Sequence, residues 1–207
     1  MLQTFSTPDF WRPFMALVLA ALVVMGSPGP ATLSVTAIGA AFGLRSSLPY
    51  LTGIIAGTSA VLLVVAAGIL SMLMALPRLA PLLLTASIAY ILYLAVKIAT
   101  APPLSTQGGD VKAPSFSGGF LLGVANPKAY VAIAAVFTGS TLPIEPAEVE
   151  ALAKAAVLGL MIVLIHLGWL LVGTSLSYPL RHPVGSRVLN LLFAATLVVT
   201  TLMALAR

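Results

Sequence analysis

Apolar residues run through this chain in long blocks, with little polar punctuation between them. No charged residue occurs between Arg12 and Arg45, Arg45 and Arg78, Arg78 and Lys97, Lys154 and Arg181, or Arg187 and Arg207. Each gap accommodates, or nearly so, the roughly 20 residues that cross a hydrocarbon core about 30 Å thick. The blocks are continuous rather than alternating, which predicts helices and not the strands of a β-barrel. Six helices follow, at residues 13–38, 46–74, 79–98, 117–139, 151–175 and 187–206. The first run, from Arg12 through Met25 to Gly26-Ser27, has the outline of a secretory signal. It continues through Leu33 to Leu44 and reads as a retained helix.

Connectors are short except for residues 101–115, which contain Pro102-Pro103, Gly108-Gly109, Asp110 and Lys112. This polar linker separates a first three-helix repeat, residues 1–100, from a second, residues 116–207. The first helix of each half is interrupted by proline, at Ser27-Pro28-Gly29-Pro30 and at Asn126-Pro127-Lys128. Three is an odd number, so the second copy is expected upside down relative to the first. The expected fold is an all-α membrane protein, six transmembrane helices in two inverted repeats with Pro-broken first helices. Matched interruptions of this kind point to a secondary transporter with its site where the repeats meet.

Composition supports the same solvent. Hydrophobic residues make up 60% of the chain and charged residues 7%, against about 25% charged in a soluble domain. The net charge of +5 is carried by basic residues scattered singly, not clustered as nucleic-acid binding requires. With no cysteine, disulfides and thiolate metal sites are excluded. Arg45, Lys97, Lys112, Arg181 and Arg187 fall on one side of the six-helix scheme, and Arg12, Arg78, Lys154 and Arg207 on the other. The positive-inside rule therefore places both termini outside.

Chemistry concentrates at the two breaks. Proline removes an amide donor and displaces the carbonyl four residues earlier, which frees the carbonyls of Val24, Gly26 and Gly123. Such groups are tolerated at membrane depth only against protein or a wet cavity. Carbonyls suit an ammonium or cation, and the amides opening the next half-helix suit a carboxylate. Fourteen of the fifteen charged residues fall in loops, tails or helix ends, and Lys128 is the exception. It sits at the centre of the fourth helix with no acidic partner, where burial costs roughly 2.5–3.5 kcal/mol. Its expected partners are Asn126, the freed carbonyls or a substrate anion. His166 lies deep in the fifth helix and is the side chain suited to a proton step near neutrality. The candidate substrate site is thus Pro28, Gly29, Pro30, Asn126, Pro127 and Lys128, with His166 for proton coupling and neither metal nor cofactor.

Other features read as packing. Gly39 and Gly43, Gly53 and Gly57, and Gly119 and Gly123 have small-xxx-small spacing, with Gly53 and Gly57 also suited to keeping a path open. Tyr90 and Tyr93 read as packing or interfacial residues, and Trp11 beside Arg12 as an interfacial anchor. Two other functions fit the same residues. One is export of a metal cation or another small solute over the carbonyls; the other is an intramembrane hydrolase with Ser27 as nucleophile and His166 as base. The partners expected are a small-molecule substrate and the lipid bilayer, with no nucleic acid; a homo-oligomer is compatible with the pattern.

Pro28-Gly29-Pro30, the glycines from 39 to 57, Ala89-Tyr90-Ile91-Leu92-Tyr93-Leu94 before Lys97, and Phe116-Ser117-Gly118-Gly119-Phe120 leading to Asn126-Pro127-Lys128-Ala129 have a counterpart. Together they resemble the lysine exporter (LysE/RhtB) family of amino-acid efflux proteins, over nearly the whole chain. The resemblance implies a proton-driven exporter of amino acids or related small metabolites in the bacterial inner membrane, not an enzyme, with the broken helices lining the transport site. One departure stands out: many members carry an acidic residue shortly after the second-helix glycines, whereas Gly57 is followed here by Thr58-Ser59. Its absence argues against a cationic substrate and a carboxylate proton relay.

Overall fold

The computed structural model describes residues 8–68, 114–175 and 183–205, with short helical stretches between residues 81 and 100. Most of the expected third helix and linker, including Tyr90, Lys97 and Lys112, lie outside the described residues. Most of those described are helical, with no strand among them.

Helix α1 (Pro8–Ala20) runs into a π-helical turn, Ala21–Met25, which ends where the Gly26 amide reaches back to the carbonyls of Ala21 and Leu22 at 3.3 and 3.1 Å. After the break at 26–29, α2 (Pro30–Ala66) begins with proline at its first position. At Gly43 the backbone is left-handed (φ 74°), a conformation open to glycine. The chain doubles back there. Ser47 Oγ donates to the Ile38 carbonyl at 3.1 Å, and Tyr50 Oη donates to Ser34 Oγ at 3.1 Å. In a straight helix residues 34 and 50 would stand about 24 Å apart. The 37-residue element is therefore a hairpin of two helices, 30–42 and 44–66, corresponding to the expected helices at 13–38 and 46–74.

The fourth expected helix is two. Helix α3 (Phe116–Ala125) is capped by Ser115, whose Oγ accepts from the Gly118 amide at 3.4 Å, and α4 (Pro127–Thr138) follows after Asn126 with a bend of 59°. Helices α5 (Ala147–Ser175) and α6 (Pro183–Leu205) complete the order. Helix α2 is the hub, with its most extensive contacts on α5 and α3 and smaller ones on α4 and α6.

Glycines make the α2–α3 crossing. A Cβ on Gly53 would stand 2.1 Å from the Phe116 carbonyl oxygen, one on Gly57 2.4 Å from that of Phe120, and one on Gly119 2.2 Å from that of Tyr50. Gly53 and Gly57 thus close a helix contact and do not line a path. Two apolar cores flank the breaks: one around Leu33, Tyr50, Ile54 and Leu170, the other around Leu17, Val61, Ile133, Leu158 and Ile162. The outer faces are also apolar, with Leu63, Val131, Leu152 and Leu160 well exposed. Such a surface is stable in lipid and not in water. The hairpin Pro30–Ala66, through its longer arm 44–66, and helix Ala147–Ser175 each hold a stretch long and apolar enough to cross a membrane, and the bent pair α3–α4 makes a third if counted as one span.

Lys154 corrects the reading of it as a water-facing charge at a helix end. It is buried in α5, pairing with Glu150 at 3.1 Å, donating to the Ser140 carbonyl at 3.1 Å and lying 4.8 Å over the Phe137 ring. Glu150 in turn accepts from the Leu142 amide at 2.8 Å, so the pair fastens the α4–α5 loop.

Candidate functional site

The two breaks, a hundred residues apart in sequence, meet. Each ends where a helix starts with proline at its first position, where the missing N–H has no partner to lose. Gly29, before α2, is extended and has no side chain with which to cap. Thr32 serves instead, its Oγ1 accepting from the Gly29 amide at 2.9 Å and donating to the Gly29 carbonyl at 3.1 Å. Asn126 caps α4 directly: its Oδ1 accepts from the Lys128 amide at 3.2 Å and its carbonyl from the Ala129 amide at 3.0 Å.

These caps differ in what they leave over. The first-turn amides of α4 are engaged. In α2 the Leu33 amide reaches the Gly29 carbonyl at 2.8 Å, but the amides of Ala31 and Thr32 precede any acceptor within the helix. The positive end of α2 is therefore the open one.

Two of the three carbonyls expected to hold an ammonium, those of Val24 and Gly26, are occupied by the protein itself. Val24 accepts from Ser27 Oγ at 2.9 Å, and Gly26 accepts from the Trp169 indole N–H at 3.0 Å. The ammonium at the first break is that of Lys128, which donates to the Ser27 carbonyl and, at 3.4 Å, to that of Pro28. Lys128 is not mid-helix as expected, but second in α4. A cation there opposes the helix dipole, and the carbonyls across the break offset that cost.

Lys128 thereby spans a cavity of about 30 Å³ lined by Gly29, Thr32, Thr58, Asn126, Lys128 and His166, with apolar walls from Met25, Ala132, Ile133, Ile162 and Ile165. That volume suits a water or two, so anything larger enters only if the lining rearranges. His166 is buried, with Nδ1 2.7 Å from the Ile162 carbonyl oxygen. A carbonyl can only accept, so Nδ1 carries the proton and Nε2 of the neutral ring is left as an acceptor.

Of the residues singled out by sequence, the structure brings Gly29, Asn126, Lys128 and His166 to one cavity. Pro28, Pro30 and Pro127 set the backbone without lining it. Ser27 is likewise outside the lining, and its hydroxyl is turned to Val24 while His166 faces Ile162 through Nδ1, which is no nucleophile–base pair. Sequence reasoning missed three contributors, the first being Thr32, which caps Gly29 and lines the cavity. Trp169 pins the first break by its indole, and its own carbonyl accepts from Thr36 Oγ1 at 3.1 Å; the signal was its position three residues after His166. Thr58 was noted only for what it replaces, yet it lines the cavity.

Comparison with curated proteins and comparison with solved structures each return no match. The family model for LysE type translocators matches residues 22–206, an interval holding both breaks, Lys128 and His166. The chain therefore belongs to the LysE type translocator family, membrane transporters of small solutes.

Proposed function

We propose that this translocator exports a neutral or anionic amino acid, or a derivative that keeps the carboxylate, across the bacterial inner membrane in exchange for protons. Six spans in two inverted repeats, residues 1–100 and 116–207 about the linker 101–115, would carry the alternation of access. The observation that supports this reading best is the bridge from Lys128 to the Ser27 and Pro28 carbonyls, which ties both breaks at a shared cavity. A substrate carboxylate competes for that ammonium and for the open amides of Ala31 and Thr32. The exchange releases the Ser27 and Pro28 carbonyls for the substrate's ammonium and frees the two breaks to move apart. His166 Nε2 takes the proton. A fixed ammonium in the cavity opposes a metal cation or a cationic amino acid by like charge, which favours the anionic end of the substrate range.

The test is export from cells loaded with amino acids, compared with and without the protein by metabolite profiling. Export by the wild type, lost in Lys128→Ala and made independent of the proton gradient in His166→Gln at equal membrane abundance, is the expected result. Normal export by both variants overturns the assignment.

A further inference from the structure

Hydroxyls in the described helices mostly turn back on their own backbone. Thr36 donates to the Thr32 carbonyl at 2.9 Å, Thr52 to Leu48 at 3.0 Å, Thr138 to Ala134 at 2.8 Å and Thr196 to Leu192 at 2.8 Å. Thr58 breaks the pattern. It is 4% exposed, and its Oγ1 is buried with no hydrogen-bond partner among the described residues. The carbonyl it would ordinarily use is that of Ile54, four residues back. That oxygen faces α3, lying 2.8 Å from where a Cβ on Gly123 would stand, and the Thr58 amide nitrogen lies 2.9 Å from the same point. The helix crossing thus fixes the backbone at Thr58, and its side chain borders the cavity shared by Thr32, Asn126, Lys128 and His166.

The polar groups around this cavity divide by chemistry. The donors are the Lys128 ammonium, the amides of Ala31 and Thr32 and the side-chain amide of Asn126, and His166 Nε2 is the acceptor left over in the lining. At the adjoining break the carbonyls of Val24, Gly26, Ser27 and Pro28 already accept from Ser27, Trp169 and Lys128. A buried hydroxyl without an acceptor in the protein adds a further donor on that side. We infer that Thr58 is a substrate-contacting, selectivity-determining residue whose hydroxyl donates to the substrate carboxylate. The inference rests on the export reading above and deepens it: what the site recognises is the carboxylate, and a ligand lacking one is refused even if it keeps its ammonium.

The experiment measures export of a panel of L-amino acids and the corresponding carboxamides, in which the ammonium is kept and the carboxylate replaced by a neutral amide. The wild type is expected to export at least one amino acid and not its carboxamide. Thr58→Val, which keeps the shape and deletes the hydroxyl, is expected to raise KM for that amino acid about ten- to a hundredfold, the loss appropriate to one hydrogen bond to a charged group. Thr58→Ser is expected to restore KM to within about threefold of wild type, the residue of a deleted methyl. A second readout separates contact from packing: because Thr58→Val removes an unpartnered buried hydroxyl, its melting temperature in detergent should equal or exceed that of wild type.

Unchanged KM and unchanged discrimination in Thr58→Val overturn the inference and leave the export reading intact. So does a lowered melting temperature in Thr58→Val that Thr58→Ser recovers, since that marks a hydroxyl bonded within the protein rather than to substrate. Export of no panel member by the wild type overturns the export reading itself, and this inference with it.

Discussion

Gly29 lies beneath the methylene stem of Lys128, so closely that a Cβ on residue 29 would stand 2.6 Å from Lys128 Cδ and 3.2 Å from Nζ. The backbone at Gly29 is extended, with φ −171°, so the need for glycine there is spatial and not conformational. The obstacle is a flexible side chain. Gly29→Ala should therefore fold and reach the membrane at normal abundance, with the lysine pushed off the Ser27 and Pro28 carbonyls. Export should fall by about tenfold or more, the scale of one lost charge-assisted hydrogen bond. Matched blots and export rates check this, and normal export would show that the Lys128 bridge is dispensable.

Trp169 holds the first break from the opposite helix through its indole N–H on the Gly26 carbonyl. Trp169→Phe keeps an aromatic ring and removes the donor, leaving a carbonyl without its partner. The expected loss of stability is about 1–3 kcal/mol, read as a lower melting temperature in detergent. Trp169→Phe should also leave cavity chemistry in place, so the transport that remains should keep its substrate range.

The α2–α3 crossing predicts a contrast among glycines. Gly53→Ala places a methyl 2.1 Å from the Phe116 carbonyl oxygen and 2.8 Å from the Phe120 amide, backbone atoms that cannot step aside. Gly168→Ala meets nothing within 4 Å. The first should cost about 3 kcal/mol, the upper end of the usual range for overpacked cores, and deplete the folded protein. The second should be neutral or slightly stabilising, since alanine is the better helix former by about 1 kcal/mol. Fluorescence-detected size exclusion of the two variants distinguishes these outcomes.

Lys154 and Glu150 form a pair whose side chains are 10% and 19% exposed. Lys154→Met leaves the partly exposed Glu150 carboxylate on the Leu142 amide alone, and loss of a partner from a pair open to solvent on one side costs about 1 kcal/mol. Lower thermal stability with an unchanged KM is the expected result, because the pair fastens the α4–α5 loop and is absent from the cavity lining.

The existence of the breaks was legible because proline's missing donor is a property of the residue, wherever it lies. Lys128 and His166 stood out for a similar reason: in a chain 7% charged, an ammonium or an imidazole within an apolar run is costly enough to need a purpose. The turn between the first two expected helices fell in residues 39–45, and the structure places it at Gly43. Gly43 takes a left-handed turn, which no apolar pattern records. Lys154 was misread because hydropathy sees its charge and not the Phe137 ring, Glu150 and Ser140 that receive it.

Sequence alone determined the solvent of this protein and the places where its helices could not continue, since transfer cost and proline geometry are local. Which break meets which, and what then occupies each carbonyl, was decided by packing. Helix α5 supplies Trp169 to Gly26, α4 supplies Lys128 to Ser27, and the close α2–α3 crossing leaves the Thr58 hydroxyl without an acceptor. A hydrogen bond is settled by position in space, and residues 28 and 128 become neighbours only when the chain has folded.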